Sequence, residues 1–277
     1  MKIAYFGYDF FYSCLNKIVD EEYEVIKIFT YETDDKYNFN NYITSIANEN
    51  NIQIQFNKPT LKDIEELFLE NQCDLIISAA YPYVIPIPDV PNFRGINIHP
   101  TLLPIGRGVW PLPYIILRNE TCSGVTIHKL TKQLDAGDII LQKSFKLLDN
   151  ENLETLSCRS QILAEELLHK CLLNFDELWE HAKSQGEGEY WCFPSEEDMY
   201  FDGNMTIEEI DRKIRAFGKF DSCTKFLNKK WLIHEATCWQ EAHNYKPNTI
   251  VHKTNKEVLL TALDGFVCIR FFEEELD

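Results

Sequence analysis

The sequence predicts an α/β protein: a Rossmann-like, doubly wound, mostly parallel sheet followed by a smaller mixed C-terminal domain. Three observations carry that reading. Through the first half of the chain, short apolar runs alternate with stretches of helical spacing, the pattern of successive βαβ units. One run, Asp74 to Ala80 (DLIISAA), is apolar without alternation, as a strand covered on both faces must be. After Gln185-Gly186-Glu187-Gly188 interrupts a long amphipathic stretch, the composition turns to short, aromatic-rich strand candidates. A length of 277 residues suits one large domain and a smaller one, here expected at 1–185 and 186–277.

In order, Lys2 to Gly7 (KIAYFG) is a short apolar run closed by glycine, a buried strand. Helical spacing follows around Phe11, Leu15 and Val19, and Tyr23 to Tyr31 (YEVIKIFTY) has the β-branched and aromatic content of a second strand. Residues 38–50 read as helix, and 51–56 (NIQIQF) alternate strictly. Thr60 with Asp63 forms a capping-box pattern opening a helix through Asn71. The loop Tyr81-Pro82-Tyr83-Val84-Ile85-Pro86 has three prolines within 82–88 and cannot be helix interior. It is either a simple crossover or an apolar wall for a flat heteroaromatic ligand. A helix at 109–119 starts late because of Pro111 and Pro113; strands follow at Val125 to Leu130 and Ile139 to Leu147. Ser157 to Lys183 reads as one amphipathic helix with Ile162, Leu163, Leu167, Leu168, Leu172 and Phe175 on its apolar face.

Lys and Arg total 27 against 44 Asp and Glu, a formal net charge of -17. Such a surface repels nucleic acid and anionic membranes, although a local basic pocket still admits a small anion. Nine Cys without C-x-x-C pairing read as reduced thiols of a cytoplasmic protein. The first strand begins at Lys2, with no basic and apolar leader, which argues against secretion. No apolar run reaches membrane-spanning length. Gly7 stands alone before Tyr8-Asp9, so no dinucleotide fingerprint supports NAD. His128 and His169 stand isolated, and no cluster has metal-ligand spacing.

The chemistry concentrates in Gly95 to Gly108 (GINIHPTLLPIGRG) and Leu134 to Ile140 (LDAGDII). Ile96 and Ile98 alternate with Asn97 and His99, so the amide and the imidazole share one face of a strand. Pro100 and Pro104 end the ladder, and the pair leaves the strand at its carboxyl end, where open α/β sheets bind ligands. A neutral imidazole takes a proton near pH 7, a carboxylate such as Asp135 orients it, and an amide N–H donates to a developing oxyanion. Those are the parts of acyl transfer to an amine. No serine or cysteine stands in a nucleophile motif, so direct transfer is preferred. Taken alone, a histidine after a strand also fits a purely structural role.

These residues resemble the formyltransferases that use N10-formyltetrahydrofolate. Asn97-Ile98-His99 matches the family's Asn-x-His, and His99 to Gly108 is a complete H-P-[ST]-L-L-P-x-x-R-G signature. Gly124-Val125-Thr126 and Asp135-Ala136-Gly137-Asp138-Ile139 match its later G-V-T and D-x-G-x-I segments. The resemblance covers residues 1 to about 180 well and the remainder weakly. It implies that His99 is the general base, Asn97 stabilises the formyl oxyanion and Asp135 holds and polarises His99 or receives the proton through it. It also implies that the pterin sits between the 81–86 loop and the 133–138 turn, contacting Tyr83, Val84, Ile85 and Asp138. Arg107 and Gly108 would line the mouth on the amine side, with a structural salt bridge as the alternative for Arg107.

Several acceptors are open within such a family. The region 185–277 is acidic and ends Glu273-Glu274-Glu275-Leu276-Asp277, which disfavours tRNA. The second domain is unexplained for a glycinamide ribonucleotide formyltransferase. The expected acceptor is therefore a nucleotide-linked amino sugar, by analogy a dTDP-4-amino-4,6-dideoxyhexose such as dTDP-4-amino-4,6-dideoxyglucose, for lipopolysaccharide O-antigen synthesis. Methionyl-tRNA or another small amine, and a non-catalytic folate-binding module, are the alternatives. Residues 201–217 resemble the family's I-x-R-x-I-R-A helix and its preceding turn, with Thr206 and Glu209 as a capping box. Arg212 and Arg215 there would reach a pyrophosphate or pair with nearby carboxylates. Tyr190, Trp191 and Phe193 suit base stacking, core or a homodimer interface.

Overall fold

The structure, a computed structural model, describes residues 1–35, 38–218, 222–226 and 229–274. The end of the acidic tail, 275–277, lies outside the described residues. Five strands pair in parallel: β1 (Lys2–Gly7), β2 (Glu24–Phe29), β3 (Gln53–Gln55), β4 (Leu75–Ala79) and β5 (Gly95–His99). Helices α1 (Tyr12–Asp20), α2 (Asn41–Glu49) and α3 (Leu61–Leu69) occupy the crossovers. Next come β6 (Ile105–Arg107), α4 (Leu112–Leu117), β7 (Cys122–Lys129), β8 (Ile139–Lys146), α5 (Leu153–Leu173) and α6 (Phe175–Glu180). The chain ends with β9 (Glu189–Tyr190), α7 (Glu196–Met199), α8 (Ile207–Phe217), β10 (Cys223–Phe226), β11 (Lys229–Gln240), β12 (Ile250–Lys253), β13 (Val258–Thr261) and β14 (Gly265–Glu274).

The main sheet runs β3-β2-β1-β4-β5-β7-β8, with β7 and β8 antiparallel. It is the α/β, mostly parallel sheet that the strand–helix alternation predicts. Strand order reverses between β1 and β4, which places a ligand crevice at their carboxyl ends, the edge from which Asn97 and His99 emerge. Every residue of β4 is buried, as its unbroken apolar run requires. One face of the sheet packs Ile3, Tyr5, Ile77, Ile96 and Ile98 against Leu15 and Ile18 of α1 and against Leu163, Leu167 and Leu168 of α5. At α3 the Thr60–Asp63 capping box is formed in both directions.

The predicted single helix from 157 to 183 is two helices. It starts earlier because Asn152 caps it, the Asn152 side chain accepting from the Thr155 N–H at 2.9 Å. It breaks at Asn174, whose φ of −129° is not helical. Ile162 is exposed rather than on the apolar face, standing about 100° around the helix from Leu163.

The chain divides into two compact units: 1–111 with 122–146 and 158–191, and 112–121 with 147–157 and 192–277. By contacts, two short stretches that precede residue 185, 112–121 and 147–157, group with the C-terminal residues. Within the second unit α4 packs on α8, which draws 112–121 out of the first. The second unit holds an antiparallel sheet, β10-β11-β14-β13-β12. Helix α8 lays Ile207, Ile210 and Ile214 over it against Ile233, Val258, Val267 and Ile269. Among the described residues no helix is long and apolar enough to cross a membrane.

Candidate active site

Asn97 and His99 stand two residues apart on β5, so the pleat turns them to one side. Asp135 reaches them from the turn between β7 and β8, where it adopts the left-handed conformation at φ 50°. Its carboxylate is the hub. Oδ1 accepts from Asn97 Nδ2 at 3.2 Å, Oδ2 accepts from the Gly108 N–H at 2.9 Å, and Oδ2 lies 3.7 Å from His99 Nδ1. His99 and Asp135 are both buried, at 4% and 6% exposure.

Acceptor chemistry assigns the tautomers. His99 Nε2 is 2.7 Å from the Gly106 carbonyl, which only accepts, so Nε2 carries the proton. The lone pair is then on Nδ1, aimed toward Asp135. Gly106, at φ 77°, belongs to β6, a short strand unforeseen in the sequence that pairs in parallel with β9. The Gly108 φ of 123° and the closeness of its backbone to Trp191, whose carbonyl would stand 2.2 Å from an added Cβ, exclude any side chain there.

His128, set aside in the sequence as isolated, belongs to this cluster. It sits opposite Asn97 in the antiparallel register of β5 and β7. Its Nδ1 donates to the Lys129 carbonyl at 2.9 Å, and its Nε2 accepts from Asn97 Nδ2 at 3.1 Å. Nε2 also lies 3.5 Å from Asp135 Oδ1. Both Asn97 amide hydrogens are thus engaged, one by Asp135 and one by His128, and one must exchange partners to reach an oxyanion. Register is a property of strand pairing, so nothing local to His128 in the sequence marks it.

Burial, the largest influence, lowers the His99 pKa below the usual 6.5; the Asp135 carboxylate and the Gly106 carbonyl pull it back up, and His128 lowers it further. For Asp135, burial pulls upward, but the His99 and His128 rings and the Gly108 N–H outweigh it and hold the carboxyl at about 2. The His99 share of that effect needs a charged ring and fades once the ring is neutral. Near pH 7 the pair is therefore a neutral imidazole beside an ionised carboxylate.

The other expected residues divide. Gly108 lies in the cluster through its N–H. Arg107 is 4% exposed and turned inward rather than open at a mouth. Its Nε and Nη2 donate to Gln185 Oε1 at 3.2 and 2.9 Å, and its guanidinium lies over the Tyr190 ring. These partners carry no charge, and among the described residues no carboxylate is paired with Arg107. In the 81–86 loop Tyr83 and Val84 are exposed, whereas the Ile85 side chain is buried among Phe6, Phe29 and Ile76, leaving only its backbone for a ligand. Asp138 is half-buried, 3.9 Å from Lys129 Nζ. Trp191 is buried against Gly106 and Gly108. Arg212 pairs with Glu208 and Arg215 with Asp211, both one helical turn away. Among the described residues no group of three or more His, Cys, Asp or Glu is arranged to hold a metal ion.

Comparison with known proteins divides the chain once, between residues 172 and 195. The sequence profile of the formyl transferase family matches residues 1–172, and that of the formyl transferase C-terminal domain matches 195–275. A methionyl-tRNA formyltransferase from Ehrlichia chaffeensis is 33% identical over 214 residues, 75% of this chain and 69% of that protein. Among solved structures, HypX from Aquifex aeolicus superposes with a TM-score of 0.73 at 18% identity. All of this chain is covered there, but the chain spans only about half of HypX, 46% of its length. An N-formyltransferase from Helicobacter canadensis, solved with folinic acid and dTDP-3-aminofucose, superposes at 0.70 with 20% identity over 99% of both chains. With the profile covering well over half of its length, and with the Asn97–His99–Asp135 cluster at the carboxyl edge of its sheet, this chain belongs to the formyl transferase family.

Proposed function

We propose that this protein moves the formyl group of N10-formyltetrahydrofolate to a primary amine. The observation that carries the reading is the convergence of Asn97, His99 and Asp135 within hydrogen-bond or ion-pair reach at a buried sheet edge. N10-formyltetrahydrofolate supplies the carbon and takes a proton at N10 on leaving. His99 Nδ1 accepts the proton of the attacking amine, and Asp135, already ionised, stabilises the imidazolium across the short gap. Asn97 gives up its bond to His128 and donates to the formyl oxygen as negative charge develops there. The exposed Val84 and Tyr83 and the loop backbone offer the pterin an apolar face and polar edges, with the Asp138 turn opposite.

Two acceptors each have support. The 33% identity to a methionyl-tRNA formyltransferase over three quarters of this chain favours the amino group of methionyl-tRNA. The net charge of -17 favours the second reading, a nucleotide-linked amino sugar such as a dTDP-4-amino-4,6-dideoxyhexose acted on by a cytoplasmic homodimer. Mass spectrometry decides between them. The protein is incubated with N10-formyltetrahydrofolate and, in parallel, methionyl-tRNA or a panel of dTDP-linked 3- and 4-amino sugars. The expected product is one acceptor heavier by one formyl group. Folate binding without transfer to any amine overturns the enzymatic reading.

A further inference from the structure

We infer that Arg107 and Gln185 form a two-residue clamp that positions the Asp135 turn, so that the buried cation serves the geometry of the His99–Asp135 pair rather than a substrate. The inference rests on the reading of Asp135 as the partner of His99. Its basis is a continuous chain of contacts. Gln185 Nε2 donates to the Asp135 backbone carbonyl at 3.0 Å and also to the Gly137 carbonyl. These two acceptors follow directly on the left-handed bend at which Asp135 is held at φ 50°. On its other side Gln185 Oε1 accepts from both Arg107 Nε and Nη2, and Nη2 donates further to the Gly186 carbonyl at 3.2 Å.

The guanidinium fixes more than position. It has only donors, so the Gln185 oxygen must face it and the NH₂ must face the turn. With the amide flipped, its oxygen would face two carbonyl oxygens that supply no hydrogen, so the guanidinium and the turn specify the same orientation. The space is made for this arrangement: a Cβ on Gly188 would lie 2.5 Å from Arg107 Cζ. Tyr190 adds a second tie, covering the guanidinium with its ring while its hydroxyl donates to the Leu134 carbonyl at 2.8 Å. The segment 106–108 thereby holds both members of the pair. The Gly106 carbonyl sets the His99 tautomer, the Gly108 N–H holds the Asp135 carboxylate, and the Arg107 side chain holds the Asp135 backbone through Gln185.

The test uses Gln185→Met, which keeps length without charge or polar atoms, and Arg107→Lys, which keeps the charge but not the two-pronged grip. Titration of the His99 ring is followed by imidazole ¹⁵N NMR in the full-length protein. Kinetics are measured with the acceptor identified by mass spectrometry from methionyl-tRNA and the dTDP-amino sugars. Both variants are expected to lower kcat about 10- to 100-fold, as displacement of a reacting group by ~1 Å does. KM values for folate and acceptor stay within about twofold, the pattern of lost transition-state interactions. His99 is expected to titrate lower by about half a unit or more as the carboxylate drifts from it. The double variant is expected to be no worse than the poorer single one, since the two residues act as one unit. A raised acceptor KM with unchanged kcat in Arg107→Lys, or an unmoved His99 titration in both folded variants, overturns the clamp. Wild-type turnover by His99→Asn would instead overturn the reading on which it rests.

Discussion

A side chain that takes a proton from an amine near neutral pH must be neutral beforehand, and His99 meets this condition because burial disfavours its charged form. Replacing it with Asn keeps a polar group but no basic nitrogen, so kcat of His99→Asn is expected to fall on the order of 10²-fold or more in steady-state assays. In the wild type the acid limb of kcat/KM is expected below pH 6.5, because the ring's pKa is lowered from that value. Asp135 has a consequence for stability. Its folded pKa is depressed from 3.8 to about 2, so its stabilising contribution is complete above the unfolded value and is lost as pH falls through the folded one. Asp135→Asn is expected to cost on the order of 1 kcal/mol at pH 7, where the neutral His99 ring has withdrawn its share of the effect. In thermal melts the gap between wild type and variant should close as pH falls from about 4 to about 2. A gap that is constant with pH would show that the carboxylate charge contributes nothing. His99 and Asp135 are legible in the sequence because type and spacing mark them, whereas His128 and Gln185 enter only through strand register and a long-range amide contact.

The ribbon formed by β6 and β9 is the element on which the cluster hangs, and its weakest tolerance is at Gly108. Gly108→Ala meets two penalties: a φ of 123° that side-chain-bearing residues avoid, and a Cβ 2.2 Å from the Trp191 carbonyl. Gly186 separates the two, having a φ of 70° with open space around an added Cβ. Gly186→Ala is expected to cost roughly 1 kcal/mol, and Gly108→Ala at least twice that by denaturant unfolding. Gly108→Ala is expected to lower kcat as well, because it displaces an N–H from Asp135. Equal effects at both positions would mean that backbone strain, not packing on Trp191, is what matters. The same ribbon shows where sequence reading stops. Strands β1, β2, β4 and β5 announce themselves by apolar runs, and α3 and α8 by capping boxes. Strand β6 is three residues ending a proline-rich loop, and β9 is two; each exists only because the other pairs with it. The break at Asn174 is hidden for a related reason, since Leu172 and Phe175 are both buried and keep the helical period across it.

At the scale of the whole molecule, charge bears on the acceptor whichever of the two it is. With 44 acidic against 27 basic residues, long-range repulsion opposes any polyanion, and binding must come from local contacts. Each phosphate neutralised by Lys or Arg releases counterions and adds about 0.9 to the slope of log affinity against log salt on a duplex. A protein making 6 to 10 such contacts loses roughly 10³ to 10⁵ in affinity between 50 and 200 mM salt. A nucleotide-linked sugar has two phosphates, so its binding requires few such contacts. Two of the protein's arginines, Arg212 and Arg215, are already paired with carboxylates on their own helix. The acceptor KM is therefore expected to vary with salt with a slope no steeper than about 3, equivalent to about three phosphates. Steady-state kinetics at constant pH over 50 to 200 mM potassium chloride give the slope directly. A slope of about 6 or more, seen with methionyl-tRNA, would require a concentrated basic surface on this acidic chain and would remove the electrostatic case for a sugar acceptor. A slope near 1 or 2 with a dTDP-amino sugar matches a diphosphate held in a local pocket, and leaves the relatives' preference for tRNA as ancestry of the catalytic unit rather than of the acceptor site.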